Sequence, residues 1–230
     1  TGYTVNTFDL GTIVSGTPQT ICVGDPVNMI DATAPTTISG PGLVVTTTYQ
    51  WQQSANGISG WTNIAGADQE DYTPAGLTAT RYFRRIVTVS VDASAIPTSP
   101  ATVTCSKTPS TWQAVVFVNV INPGTINMSS TANTQTICPG GDPVAFNAPA
   151  ATVPPGATLT YLWQYRAKGS ADPWVDAPGT NNVEDYNAAA GTITFDAEFQ
   201  RIVYSVLNGV TCEAVTVNNP TIDINEIPDP

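Results

Sequence analysis

The chain repeats itself, and this limits its fold more than any other feature does. Tyr49-Gln50-Trp51-Gln52, closing on Trp61, returns as Tyr161-Leu162-Trp163-Gln164, closing on Trp174. Gly11-Thr12-Ile13 and Gln19-Thr20-Ile21-Cys22 precede the first copy; Gly124-Thr125-Ile126 and Gln135-Thr136-Ile137-Cys138 precede the second. Asp71-Tyr72 and Phe83-Arg84-Arg85-Ile86-Val87 follow the first, and Asp185-Tyr186 and Phe199-Gln200-Arg201-Ile202-Val203 the second. A late cysteine, Cys105 or Cys212, closes each unit. Such self-similarity marks a duplicated module. The 230 residues therefore divide into two domains, expected at 1–121 and 122–230. Each has roughly 110 residues, a usual domain size that can bury its own core.

The composition favours strands and turns. Hydrophobic residues make up 41% and charged residues only 11%, while Thr, Val, Asn, Gly and Pro are abundant. In repeat one, short strands are expected at Gly11–Val14, Pro18–Val23, Val27–Ala32, around Tyr49–Gln53 and after Trp61. Others are expected at Asp71-Tyr72, Arg81–Val91 and Gln113–Val120. Repeat two echoes them, with Glu198–Val206 as its longest strand and Thr221–Ile227 as its last. Asp25-Pro26 and Asp142-Pro143 read as turns rather than as calcium ligands. Asp92–Lys107 reads as an insertion relative to the short Leu207-Asn208-Gly209 turn. About seven short strands per repeat, with no helix-period segment, predict an all-β chain. The expected architecture is two tandem immunoglobulin-like β-sandwich domains arranged end to end across the short Ile121-Asn122-Pro123 linker.

The period of two assigns the inner faces. Tyr49, Trp51 and Gln53 share one face, as do Tyr161, Trp163 and Tyr165, so Trp51 and Trp163 should fill the two cores. On the longest strand, Phe83, Arg85 and Val87 alternate with Tyr82, Arg84 and Ile86. The second set becomes Glu198, Gln200 and Ile202 in repeat two, which makes it the wet face. Arg85 and Arg201 then lie at the core margin, where a guanidinium needs a partner. The candidates are the faces of Trp51 and Trp163, or the carboxylates of Asp71 and Asp185.

A net charge of −11 with seven Lys and Arg disfavours nucleic acid and anionic membrane surfaces, which need clustered cations. No apolar run approaches the ~20 residues that span a bilayer. The opening residues read as linker or as the tail of a preceding unit, not as a leader. The closing Asp229-Pro230 precedes where a new Gly-Thr-Ile would start, so an interior piece of a longer array is expected. There is no histidine, which removes Ser-His-Asp and Cys-His catalysis. No glycine-rich phosphate loop is present. The only lysines, Lys107 and Lys168, read as turn residues and argue against an isopeptide staple.

The four cysteines form no C-x-x-C pair, so a zinc site is not indicated. The economical pairing is Cys22 with Cys105 and Cys138 with Cys212, which implies an oxidising compartment; the alternative is four buried thiols. No cofactor is expected. Calcium is the one metal the acidic turns suggest, at Asp68, Glu70 and Asp71 and at Asp223 and Glu226, although no EF-hand spacing is present.

The string Gly-Thr-Ile, Gln-Thr-Ile-Cys-x-Gly, Tyr-x-Trp-Gln, Trp-x-x-Ile, Tyr-Thr-Pro and Tyr-Phe-Arg-Arg-x-Val resembles tandem immunoglobulin-like repeats. These belong to very large cell-surface and secreted proteins of the Bacteroidota, the gliding-motility adhesins among them. The resemblance covers nearly the whole chain twice; Glu198 and Asn187 depart from it. It implies type IX export, an extracellular location at the bacterial surface, and neighbouring repeats as partners. It carries no catalytic residues. Two function classes follow. One is a monomeric structural and adhesive stalk. The other is a carbohydrate-binding module or spacer of a polysaccharide-acting protein, with Trp61, Trp112 and Trp174 as sugar platforms and surface polysaccharide as partner.

Overall fold

A computed structural model describes residues 9–14, 18–36, 44–92, 113–128, 133–216 and 218–225 in full, and 102–107 as backbone. The described residues form strands, bridges and turns, with no helix among them. Two compact units divide after Val118 rather than after Ile121.

Unit one contains β1 (Gln19–Cys22), β2 (Val44–Ser54), β3 (Thr62–Asn63), β4 (Arg81–Asp92), β5 (Thr102–Lys107) and β6 (Ala114–Asn119). Unit two repeats the set as β7 (Thr134–Ile137), β8 (Thr158–Ala167), β9 (Val175–Asp176), β10 (Ala197–Leu207), β11 (Val210–Val215) and β12 (Thr221–Ile224). Each unit builds one sheet, in the order β1-β6-β4-β2-β3 or β7-β12-β10-β8-β9, with β5 on β4 and β11 on β10.

A second layer covers each sheet and completes a sandwich of the immunoglobulin-like kind. It is built from single bridges rather than long strands: Ile13 to Ala32 and Ile30 to Tyr72 in unit one, Asn127 to Asn147 and Phe146 to Tyr186 in unit two. Val27–Ala32 and Val144–Ala148 are therefore bridged segments, not the strands expected there. Apolar side chains from both layers meet between them. Trp51, Phe83, Ile30 and Val116 form one core, and Trp163, Phe199, Phe146 and Ile222 the other. Trp51 and Trp163 are fully buried. An aromatic of that size sets the thickness of the layer it fills.

Two corrections concern the long strands. Thr102–Lys107 is not insertion. It pairs with β4 as β5, with Cys105 opposite Val89, as β11 pairs with β10 and puts Cys212 opposite Ser205. The extra length in repeat one falls in the connection before it, at 93–101, outside the described residues. Asn208 and Gly209 both have positive φ, 50° and 81°, so the second repeat joins these strands through a two-residue turn whose twist suits a hairpin. Lys107 accordingly lies in a strand backbone rather than in a turn.

Candidate functional site: arginine clamps, half-buried tryptophans and cysteine positions

The sheet register sets Trp51 directly opposite Arg85 and Trp163 directly opposite Arg201. Both arginines point inward and are buried, at 1% and 0% exposure. Neither uses the partners expected of it. Arg85 donates from Nη1 to the Glu70 carbonyl at 2.8 Å, and from Nη2 to those of Thr33 at 2.7 Å and Leu10 at 3.4 Å. Arg201 makes the same set with Glu184 at 3.0 Å, Pro149 at 3.2 Å and Pro123 at 2.6 Å. The aromatic partner is a tyrosine, not the tryptophan: the guanidinium carbon lies 4.8 Å from the Tyr49 ring centroid, or 5.0 Å from that of Tyr161. Burial lowers both guanidinium pKa values. The bonds to carbonyls and the tyrosine face compensate for lost water.

Asp71 and Asp185 serve the next layer outward. Asp71 Oδ1 accepts from the Ala32 amide, and Asp185 Oδ1 from the Ala148 amide, each at 2.8 Å. Tyr49 and Tyr161 donate to Glu70 and Glu184 at 3.3 Å. Burial, followed by the neighbouring glutamate, raises both phenol pKa values. The indole N–H groups of Trp51 and Trp163 donate to the carbonyls of Gln69 and Val183, each at 3.0 Å. Each repeat thus ties its entry segment, its 32–33 or 148–149 turn and its 69–70 or 183–184 turn to the middle of the long sheet strands.

The shared landmarks acquire reasons here. Gly11 has a φ of +72°, and a Cβ on it would lie 2.0 Å from the Thr33 carbonyl oxygen that Arg85 holds. Only glycine fits such a place. Gln19 exchanges two hydrogen bonds with the backbone of Asn28, and Gln135 does the same with Val144. Each glutamine side chain thereby satisfies backbone groups as a paired strand would. Sequence reading recorded these glutamines and Tyr49 and Tyr161 as landmarks but assigned them no role. Their recurrence at matching positions was the available signal.

Trp61 and Trp174 lie on the outward face and are half-buried. Each carries a guanidinium on its ring: Arg84 on Trp61 and Arg166 on Trp174, both at 4.3 Å from the centroid. The two arginines come from different strands. Arg84 stands on β4 and donates to Gln52 at 2.7 Å; Arg166 stands on β8 and pairs with Glu198. One face of each indole is therefore covered. Trp112 lies outside the described residues.

The acidic turn residues are occupied. Asp68 accepts from Gln69 at 2.7 Å, Glu70 accepts from Tyr49, and Asp223 pairs with Lys168 at 2.7 Å. Among the described residues no group of three or more acidic, cysteine or histidine side chains converges. Glu226 lies outside the described residues. No helix of the described residues is long and apolar enough to cross a membrane.

The cysteines overturn one expectation. Cys22 and Cys212 are disulfide-bonded, while Cys138 is exposed and carries a free thiol. A Cys138–Cys212 bridge is therefore not formed, and the sheet of unit two explains why. Cys212 faces Ser205 near the end of β10. β12 meets β10 only at its start, Ile222 opposite Ala197, and then runs past it. β7 lies parallel beside β12, with Ile137 next to Ile224, and Cys138 comes one residue later. At about 3.3 Å per residue the two cysteines stand on the order of 30 Å apart along the sheet. A disulfide needs Cα atoms within about 7 Å. The expected Cys22–Cys105 pairing falls on the Cys105 side chain, which lies outside the described residues.

A domain family described as a domain of unknown function (DUF8696) matches residues 10–107. No curated protein sequence matches the chain. Among solved structures, the chain is similar to three N-terminal domains of the bacteriophage RB49 highly immunogenic outer capsid protein. Identity is 13% and the TM-score 0.46, over 92% of this chain and 69% of that one. It is also similar to the four N-terminal Ig domains of Dscam1 isoform 7.44, at 10% identity and a TM-score of 0.37, over 96% of this chain. It spans 47% of that Dscam1 chain, about half.

Proposed function

We propose that the chain is a structural and adhesive-type repeat segment of a large extracellular protein, displayed on the cell surface as part of a stalk. One observation carries the reading: the two repeats rebuild one frame and differ on its outside. Trp, Arg, Tyr, Asp and Gly recur with the same hydrogen bonds around Arg85 and Arg201. The outward residues diverge, down to which strand supplies the arginine over Trp61 and Trp174. A duplicated frame with a changing surface suits a spacer whose work is to persist and extend. Disulfide-bonded cysteines fit an oxidising location.

The finer reading follows the sequence resemblance: a segment of a gliding-motility type adhesin of the Bacteroidota, exported by the type IX route, without enzymatic activity and with neighbouring repeats as its partners. Carbohydrate binding is the lesser reading, because a guanidinium already occupies one face of each outward indole.

The test is made on the cells that encode the chain. Antibodies to the purified segment should label intact, unpermeabilised cells, and excising the segment from its parent gene should weaken surface attachment. Labelling only after permeabilisation, or attachment unchanged by excision, would overturn the proposal. A glycan array should show no ligand; a glycan whose binding is lost in Trp61→Ala or Trp174→Ala would establish the lesser reading instead.

A further inference from the structure

The segments by which the chain enters and leaves unit two lie against each other. β7 and β12, its first and last described strands, run parallel, with Thr134 beside Thr221 and Ile137 beside Ile224. The Thr221 amide donates to the Asn133 carbonyl and the Asn225 amide to that of Ile137, each at 2.8 Å. The hydroxyls of Thr134 and Thr221 meet at 3.0 Å. Ahead of β7 the side chain of Asn218 prolongs this seam. Its Oδ1 accepts from the Ile126 amide at 2.8 Å, and its Nδ2 donates to the Ile126 carbonyl at 2.6 Å. One side chain thereby satisfies Ile126 as a paired strand would. The entry is held twice more: Asn122 exchanges two backbone hydrogen bonds with Thr152, and Arg201 donates to the Pro123 carbonyl. Ile126 and Ile222 are fully buried beneath the seam.

Tension drawn through the chain meets these bonds in one geometry. The entry strand is pulled back from its start and the exit strand forward from its end, so two parallel strands slide along each other. The hydrogen bonds cross from strand to strand, and sliding loads all of them at once. A pair pulled apart from one end loses its bonds one after another. We propose that unit two is a tension-bearing module whose breaking point is the seam between entry and exit, locked by the side chains of Asn218 and Arg201. Forced unfolding follows the height of the unfolding barrier rather than total stability. The seam raises that barrier for load that arrives through the two ends of the unit. Its use in the cell rests on the stalk reading, because a stalk is loaded end to end.

The experiment is single-molecule force spectroscopy on the purified whole chain, with two placements of the handles. With handles at the two ends of the chain, unit two is loaded through the seam. In the second placement the C-terminal handle moves to an insertion in the exposed Asn208-Gly209 turn. β10 runs antiparallel to β12, and β12 parallel to β7, so this turn lies at the end of the sheet where β7 begins. Load between entry and turn peels β7 away instead of sliding it. Unit two should rupture at a clearly higher force end to end than from the turn, although the resting stability of the fold is the same. Urea unfolding of the insertion variant checks that the unit stays folded. End to end, Asn218→Ala and Arg201→Met should lower the rupture force of unit two and leave that of unit one unchanged. Tyr186→Phe, which loses a core hydrogen bond away from the seam, should leave the rupture force of unit two as it is. Equal forces in the two placements, an unchanged force in Asn218→Ala, or an equal drop in Tyr186→Phe would each overturn the proposal. Absence of surface labelling would leave these forces as measured and remove only their setting, so the two readings fail separately.

Discussion

Arg201 donates to the Pro123 carbonyl oxygen at 2.6 Å. Pro123 belongs to the segment that leads into repeat two, and Arg201 stands in the middle of its longest strand. The entry of the chain is thereby fixed to the core by a buried cation. Arg85 and the Leu10 carbonyl stand in the same relation in repeat one, at 3.4 Å. A methionine of similar length would keep the packing and lose every one of these bonds. Arg201→Met should destabilise unit two by about 3 kcal/mol or more, since several buried carbonyls lose their donor at about 1–3 kcal/mol each. Urea unfolding followed by hydrogen exchange should place the loss in unit two, with unit one unchanged. Equal loss of protection in both units would show that the clamp is not local.

The glycine beside the clamp makes a second test. Gly11→Ala would need a left-handed backbone and would push a methyl group into the Thr33 carbonyl. Neither is relieved by a side-chain rotation. The expected cost is about 2–4 kcal/mol, from the positive φ and the backbone displacement together. Gly124 shares the φ of +72°, but its Cβ would meet the Pro149 oxygen at 3.2 Å rather than 2.0 Å. Gly124→Ala should therefore cost less than Gly11→Ala. Thermal unfolding of the two variants checks the order.

Trp51 and Trp163 test the cores. Truncation to alanine removes a fully buried indole and the hydrogen bond to Gln69 or Val183. Losses of about 3–5 kcal/mol are expected, each in its own unit. Chemical denaturation monitored by the remaining tryptophans should show one early transition and one unshifted. A single transition displaced alike in both variants would count against separate cores.

The sequence exposes some of this and hides the rest for physical reasons. The inward direction of Trp51 and Arg85 is legible because a strand alternates its faces. The partners of Arg85 are not, because backbone carbonyls of Leu10, Thr33 and Glu70 leave no mark on residue identity. The Gly-Thr-Ile landmark is visible as text, but the close approach of Thr33 to Gly11 appears only in three dimensions. Cysteine pairing misleads because chain order tells early from late, whereas the end of the sheet each cysteine reaches depends on register. β5 is hidden for a related reason: repeat one lacks the Asn208-Gly209 hairpin turn that marks β11. The covering of Trp61 by Arg84 and Trp174 by Arg166 is equally invisible, since the two arginines occupy different positions in the repeat.

Tyr186 gives the alkaline limit of unit two. It is fully buried, stacks 5.5 Å from Trp163, and donates from its hydroxyl to the Pro178 carbonyl at 2.8 Å. A phenolate there would lose water, lose its donor and face a carbonyl oxygen. Burial first, and then the nearby Tyr165, push its pKa up to about 12 from the usual 10.0. Between those values the unfolded chain has released the proton and the folded chain still holds it. The contribution of Tyr186 to stability is therefore fully present below pH 10 and is lost as pH rises through about 12. Tyr186→Phe removes this dependence. At pH 8 the variant should be the less stable by about 1 kcal/mol, the worth of one buried hydrogen bond. As pH climbs from 10 to 12 the gap should close and then reverse, because only the parent chain has this proton to lose and a rise in pKa from 10.0 to about 12 is worth more than about 1 kcal/mol. Tyr49, Tyr72 and Tyr161 also have raised pKa values, but they are present in both proteins and cancel in the difference. Denaturant unfolding of the pair from pH 8 to pH 12 measures it, and parallel curves across that window would show that Tyr186 ionises as freely folded as unfolded.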